Sequence, residues 1–165
     1  MGRSKDGHAL IATFREAIEA ASHLKWRAGL QAIKNREGGG QISSDDPERV
    51  LGGATIDDDC LKAYPTANRW DYVVGYRRPH QVLAYFIEVH SAETSEISKV
   101  EQKLHWLRQF LRQETQEALA KLPREFHWIA SGRINIPKHV PQYKRLVTTL
   151  RTLGLRGPTR QLKLT

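Results

Sequence analysis

Arg69-Trp70-Asp71-Tyr72-Val73-Val74-Gly75-Tyr76 and Val82-Leu83-Ala84-Tyr85-Phe86-Ile87-Glu88-Val89-His90 read as two strands joined by the short basic connection Arg77-Arg78-Pro79-His80. A connection of that length suits an antiparallel hairpin, with the proline outside the hydrogen-bonded ladder. Both runs are apolar on both faces, as strands covered on two sides should be. A carboxylate inside such a run needs a reason, because an unpaired buried charge costs several kcal/mol or picks up a proton. Asp71 near the start of the first strand and Glu88 near the end of the second are therefore the first candidates for chemistry.

Working outward, residues 7–36 carry Leu10, Phe14, Ala17, Ile18, Ala21, Leu24 and Ala28 at helical spacing. This predicts a long first helix that stops at Glu37-Gly38-Gly39-Gly40, followed by a mobile polar loop over about 37–49. Glu48–Leu51 reads as one helical turn, Ala54–Ile56 as a weak strand or turn, and Asp57-Asp58-Asp59 as a solvated turn. After His90, a capping-rich stretch leads into a second helix over about 95–120. Its core stripe is Ile97, Val100, Leu104, Leu107 and Leu111, and Lys99, Lys103, Trp106 and Phe110 form an adjacent stripe. Phe126–Ala130 reads as a strand, Val140–Leu153 as a third helix bounded by Pro141 and Gly154, and residues 161–165 as an edge strand. The expected architecture is a single α/β domain over residues 1–165, a central mixed sheet flanked by helices in the order αβββαβα.

Composition narrows the function. The chain has 165 residues, enough for one core, and a net charge of +8. Ten of the 26 Lys and Arg fall in residues 121–165 beside a single acid, Glu125, whereas residues 1–120 are close to neutral. A basic end of this kind suits a polyanion, because clustered cations release counterions from phosphates, or else a solubilising surface. Arg77, Arg78, Lys138, Lys144, Arg145 and Arg151, with His80 and His139, are the expected phosphate contacts. Cys60 is the single cysteine, which excludes an internal disulfide and a cysteine-based zinc cluster. No window approaches the ~20 apolar residues of a membrane span, and no apolar leader opens the chain, so a cytoplasmic protein is expected. A triphosphate-cradling Gly-Lys-Ser/Thr loop and a Gly-x-Ser-x-Gly elbow are both absent, which argues against a nucleotide triphosphatase and a serine hydrolase.

Glu88 and His90 are two apart and so project from one face, and a hairpin would let Asp71 approach them. Asp, Glu and His together suit one hard divalent cation, magnesium or manganese. The plainer reading has Asp71 paired with Arg69, His90 bonding only to the next loop, and Trp26, Trp70, Trp106 and Trp128 serving the core.

The order helix, strand with Asp71, hydrophobic strand ending Glu88-Val89-His90, then helix resembles the PD-(D/E)xK nuclease superfamily, above all its RecB-like and Holliday-junction-resolvase-like branches. The resemblance covers about residues 10–128. It implies a restriction-endonuclease-like fold and a metal-dependent nuclease cutting DNA or RNA, with Asp71 and Glu88 on magnesium or manganese and His90 as ligand or base. His90 stands where the family has the lysine of its Glu-x-Lys motif. In that superfamily the lysine can migrate, which points to Lys103, or Lys99, on the following helix. Gln102 and Trp106 are similar to the Gln-x-x-x-Tyr helix signature of the RecB-like branch. The family's additional first-helix acid leaves Glu16, Glu19 and Glu37 open. The alternative is a catalytically inactive descendant, a module that binds nucleic acid, a protein partner or a second copy; a third reading is a small accessory or toxin-like protein whose acids serve only the fold.

Overall fold

The structure, a computed structural model, describes residues 5–33 and 41–165. Glu37 and the triple glycine lie outside them. The chain runs α1 (Lys5–Ala20), β1 (Arg27–Ala28), β2 (Ile42–Ser44), β3 (Val50–Thr55), α2 (Ile56–Cys60), β4 (Tyr72–Arg77), β5 (Val82–Glu93), α3 (Ile97–Leu111), α4 (Glu117–Ala120), β6 (Arg124–Asn135), α5 (Pro141–Arg145), β7 (Leu155–Thr159) and β8 (Leu162–Leu164). Helix α5 continues as a π-helical stretch to Leu150.

The fold is α/β with a mixed six-stranded sheet in the order β1-β3-β4-β5-β6-β7. Strands β3, β4 and β5 form an antiparallel meander, and β6 and β7 then run parallel to β5. The expected hairpin is present, with Tyr72 opposite Ile87 and Arg77 opposite Val82. That register places Asp71 beside Glu88.

The two faces of the sheet are covered differently. Phe14 and Ile18 of α1, Ala21 just after it, Ile97, Val100, Leu104, Leu107 and Leu111 of α3, and Leu146 and Leu150 pack with Val73, Ala84 and Phe86 on one face. The second face, built from Tyr72, Val74, Tyr76, Leu83, Tyr85, Ile87 and Val89, meets Ile33, Ile42, Leu162 and Leu164. Its cover is thus a two-stranded parallel ribbon of β2 and β8, with Ile42 opposite Leu162, and not a helical layer. This corrects the expectation of helices on both sides. β8 supplies a strand as expected, but in a separate ribbon and not on the edge of the main sheet. Each β5 residue alternates between the layers, so the near-continuous apolar run is explained by two cores and not by one.

Three local expectations also change. Helix α1 ends at Ala20, not near Arg36, because His23 adopts a left-handed conformation (φ 73°) that breaks the helix. Leu24 still reaches the core, but from the non-helical segment after α1, which is why the apolar spacing misleads. The described part of the expected 37–49 loop carries β2 and a 3₁₀ turn at Pro47–Arg49, followed directly by β3. Asp57–Asp59 are not a solvated turn but part of α2: Asp59 accepts both Arg27 guanidinium nitrogens at 2.7 and 3.0 Å, and Asp57 pairs with Arg69 at 2.8 Å. Gly75 serves close approach, since a Cβ there would lie 2.4 Å from the Phe14 ring that seats α1 on the sheet.

Candidate active site

The site forms where the start of β4, the middle of β5 and the first turns of α3 meet. Asp71 and Glu88 have the same strand parity as Val73 and Phe86, so both acids face the helical layer. Lys103 comes from α3 directly above them. Its ammonium donates to Asp71 Oδ1 at 3.2 Å and also to Glu88 Oε1. The second oxygen of each acid is held by backbone: the Val89 amide donates to Asp71 Oδ2 at 2.9 Å, and the Asp71 amide donates to Glu88 Oε2 at 3.2 Å. Each carboxylate therefore has one oxygen fixed by the sheet and one turned to a shared cation.

Burial sets the electrostatics. The Glu88 side chain is 0% exposed, and those of Asp71 and Lys103 are 13% exposed. Burial drives the Glu88 carboxyl well above its ordinary pKa, and the neighbouring Asp71 charge drives it further, against the pull of Lys103. Asp71 is raised as well, again chiefly by burial. Burial alone would lower the pKa of Lys103, but the Glu88 and Asp71 charges outweigh it and raise it. Two ionised carboxylates around one ammonium would leave a net negative charge in a low-dielectric space, a condition relieved by a proton or by a second cation.

His90 lies at the rim of the cluster. Its Nδ1 is 3.8 Å from Glu88 Oε1, and its Nε2 donates to Glu96 Oε2 at 2.6 Å. Glu96 has no counterpart among the sequence candidates; its signal is the acid six positions after His90 inside a stretch read only for helix capping. Lys103 joins the acids, whereas Lys99 is exposed. Gln102 points away, bonded to Asn68 at 3.0 Å, and Trp106 stacks on Phe110 at 5.1 Å as part of the helical packing. The first-helix acids do not reach the cluster: Glu16 is exposed, and Glu19 pairs with Arg15 on the surface at 2.8 Å. Arg69 holds Asp57 and not Asp71. Among the described residues, no three His, Cys, Asp or Glu side chains are gathered as a ready-made metal ligand set.

The expected phosphate contacts divide between the ends of the sheet. Arg77 and Arg78 sit at the hairpin tip, six and seven positions from Asp71, or roughly 20 Å along the strand. Arg78 Nε donates to the Thr165 carbonyl at 3.1 Å. Arg151 also lies near that end, ahead of β7. Lys138 is exposed in the segment after β6, Lys144 is exposed on α5, and Arg145 pairs with the buried Glu101 at 2.6 Å. Cys60 is buried, and burial pushes its thiol up to about 12, which removes it as a nucleophile.

No family model matches the chain, and no match to it appears among curated proteins or solved structures. Among the described residues, no helix is long and apolar enough to cross a membrane.

Proposed function

We propose that the chain is a divalent-metal-dependent nuclease-like protein of the PD-(D/E)xK type, acting on phosphodiester bonds of DNA or RNA. The observation that carries this reading is the convergence of Asp71 and Glu88, from adjacent antiparallel strands, on the ammonium of Lys103. The succession α1, β3, β4, β5, α3, β6, α5, with β6 parallel to β5, supports the reading as the main elements of the αβββαβα order the resemblance implies, with β1, β2, α2, α4, β7 and β8 additional to it. The lysine expected two positions after Glu88 is His90, and a lysine is instead supplied by α3.

The residues fit a hard metal ion. Two carboxylate oxygens already converge on a cation, and magnesium commonly binds through one or two carboxylates while keeping several waters, so a third protein ligand is not required. Asp71 and Glu88 would hold the ion, with His90 at its edge; when bound, it would supply Lewis acidity, lowering the pKa of a bound water and neutralising phosphoryl charge. Lys103 fixes the orientation of both carboxylates and can donate to an anionic oxygen. His90, steadied by Glu96, is placed to accept a proton through Nδ1.

A second reading, a nuclease-fold module without catalysis, is favoured by the complete burial of Glu88 against Lys103, since one proton on the acid pair then leaves the cluster neutral with no metal ion. Incubating plasmid, single-stranded DNA and RNA with magnesium and with manganese separates the two, using Glu88→Ala as control and calorimetry for metal binding. Cleavage lost in the variant supports catalysis. No cleavage and no bound cation supports the inactive module, and cleavage that survives the substitution marks a contaminant.

A further inference from the structure

The basic end of the chain builds a concavity away from the acid pair. Between the starts of β6 and β7 lies a cavity of about 670 Å³, whose wall includes Arg124, Arg151 and Arg156. The three arginines come from three separate places, the first residue of β6, the segment after the π-helical stretch, and β7, and the register sets Arg124 on the side of Phe126 and Leu155 but Arg156 on the side of His127. Parallel pairing sets Arg124 opposite Ala84, four positions before Glu88, so the cavity opens roughly 13 Å along the strands from the candidate active site.

Its charge is not neutralised from within. Glu125 is the single acid in the wall, and it is already shared between Arg156 at 3.2 Å and His127 at 2.9 Å. Arg124 donates to the Ala120 carbonyl, which leaves its charge unbalanced, and Arg151 is exposed. The floor is apolar, formed by Phe126 and Leu155, and the Arg124 guanidinium lies 5.9 Å from the Phe126 ring centroid. A guanidinium over an apolar floor, with a second arginine in the same wall, suits an anion that is also a flat or ring-bearing molecule, because the fork matches phosphate oxygens while the floor accepts a sugar or base.

We infer that this cavity is a phosphate-binding site, separate from the acid pair, that takes the phosphate of a nucleotide, either free or within a nucleic-acid strand. It stands whether or not Asp71 and Glu88 hold a metal. The site uses Arg124 and Arg151, which have no acidic partner among the described residues, as its cations, while Arg156 is held by Glu125 on the other side of the sheet.

The test is fluorescence anisotropy of a short labelled single strand, recorded in EDTA at several salt concentrations so that cleavage plays no part. Adenosine monophosphate serves as competitor. An R124A/R151A variant, whose substitutions fall on exposed side chains, should bind the strand at least tenfold more weakly, with a salt dependence shallower by about one to two ions. Lys62→Ala, a lost charge elsewhere on the surface, should leave binding unchanged, and circular dichroism should show the double variant folded. Displacement of the strand by the mononucleotide supports a free nucleotide as ligand, and its failure to compete supports the strand. The proposal is overturned if the native protein binds neither molecule at low salt, or if R124A/R151A binds both as the native protein does.

Discussion

Asp71 donates its own backbone amide to the carboxylate of Glu88 across 3.2 Å, so the two acids are tied by the sheet itself and not only by the lysine between them. The Val89 amide returns the contact to Asp71. Such a frame holds both carboxylates in place whether a proton, an ammonium or a metal ion balances them, and the consequences differ for each partner.

Lys103→Met removes the positive charge and keeps most of the apolar stem. Breaking a buried ion pair from one side leaves uncompensated charge and typically costs 3 kcal/mol or more. A loss of about 3 kcal/mol in urea unfolding at pH 7 is expected, shrinking as acidification protonates the acids. A variant as stable as the native protein at pH 7 would mean that the acids are already neutral or solvated.

Glu88 titrates above its ordinary value near 4.5 because it is buried beside Asp71. A carboxyl whose folded pKa exceeds its unfolded pKa keeps a proton that the unfolded chain releases. It thus contributes stability below the ordinary value, and that contribution is lost as pH rises toward the folded pKa. Glu88→Gln cannot ionise, so its stability relative to the native protein should increase as pH rises from about 4.5. Thermal melts across pH 4 to 8 would measure it, and a difference that falls with pH would show an ionised Glu88 stabilised by Lys103.

Cys60 should be silent toward thiol reagents. Its thiol is buried and its pKa lies at about 12, so the reactive thiolate is scarce at neutral pH. Labelling by a thiol-specific chromogenic reagent should be absent in the native protein and complete in denaturant. Rapid labelling of the native state would show that α2 opens readily.

Gly75→Ala should destabilise by about 2 kcal/mol, because the added methyl would collide with the Phe14 ring and displace α1. In the double variant Phe14→Ala/Gly75→Ala the collision is gone. The two substitutions should then cost less together than the sum of each alone, which a double-mutant cycle in urea detects.

The hairpin was legible in the sequence because two β-branched and aromatic runs are joined by a short connection, and the approach of the two acids was open to it, whereas the register that sets Asp71 beside Glu88 comes from the structure. The buried stripe of α3 was equally legible, since Ile97, Val100, Leu104, Leu107 and Leu111 repeat at helical spacing. Lys103 was reachable from the same projection, though on a stripe that the structure divides between site and packing. What failed were relationships between distant segments. The left-handed turn at His23 has no glycine to announce it, and Arg69 chose Asp57 over its near neighbour Asp71. The cover of the second face could not be read locally, because it joins residues 42–44 to residues 162–164. The functional role of the acid pair is a separate question, which cleavage and metal-binding measurements decide.

That long-range ribbon has a consequence for biogenesis. Residues 42–44 emerge from the ribosome well before 162–164, so Tyr72, Val74, Ile87 and Val89 lack part of their cover until the second strand of the ribbon is made, while α1 and α3 can already pack on the opposite side. The nascent chain should accordingly pass through a half-covered state, sticky on one side only, in which helper proteins that shield apolar surfaces matter more to yield than to the finished molecule.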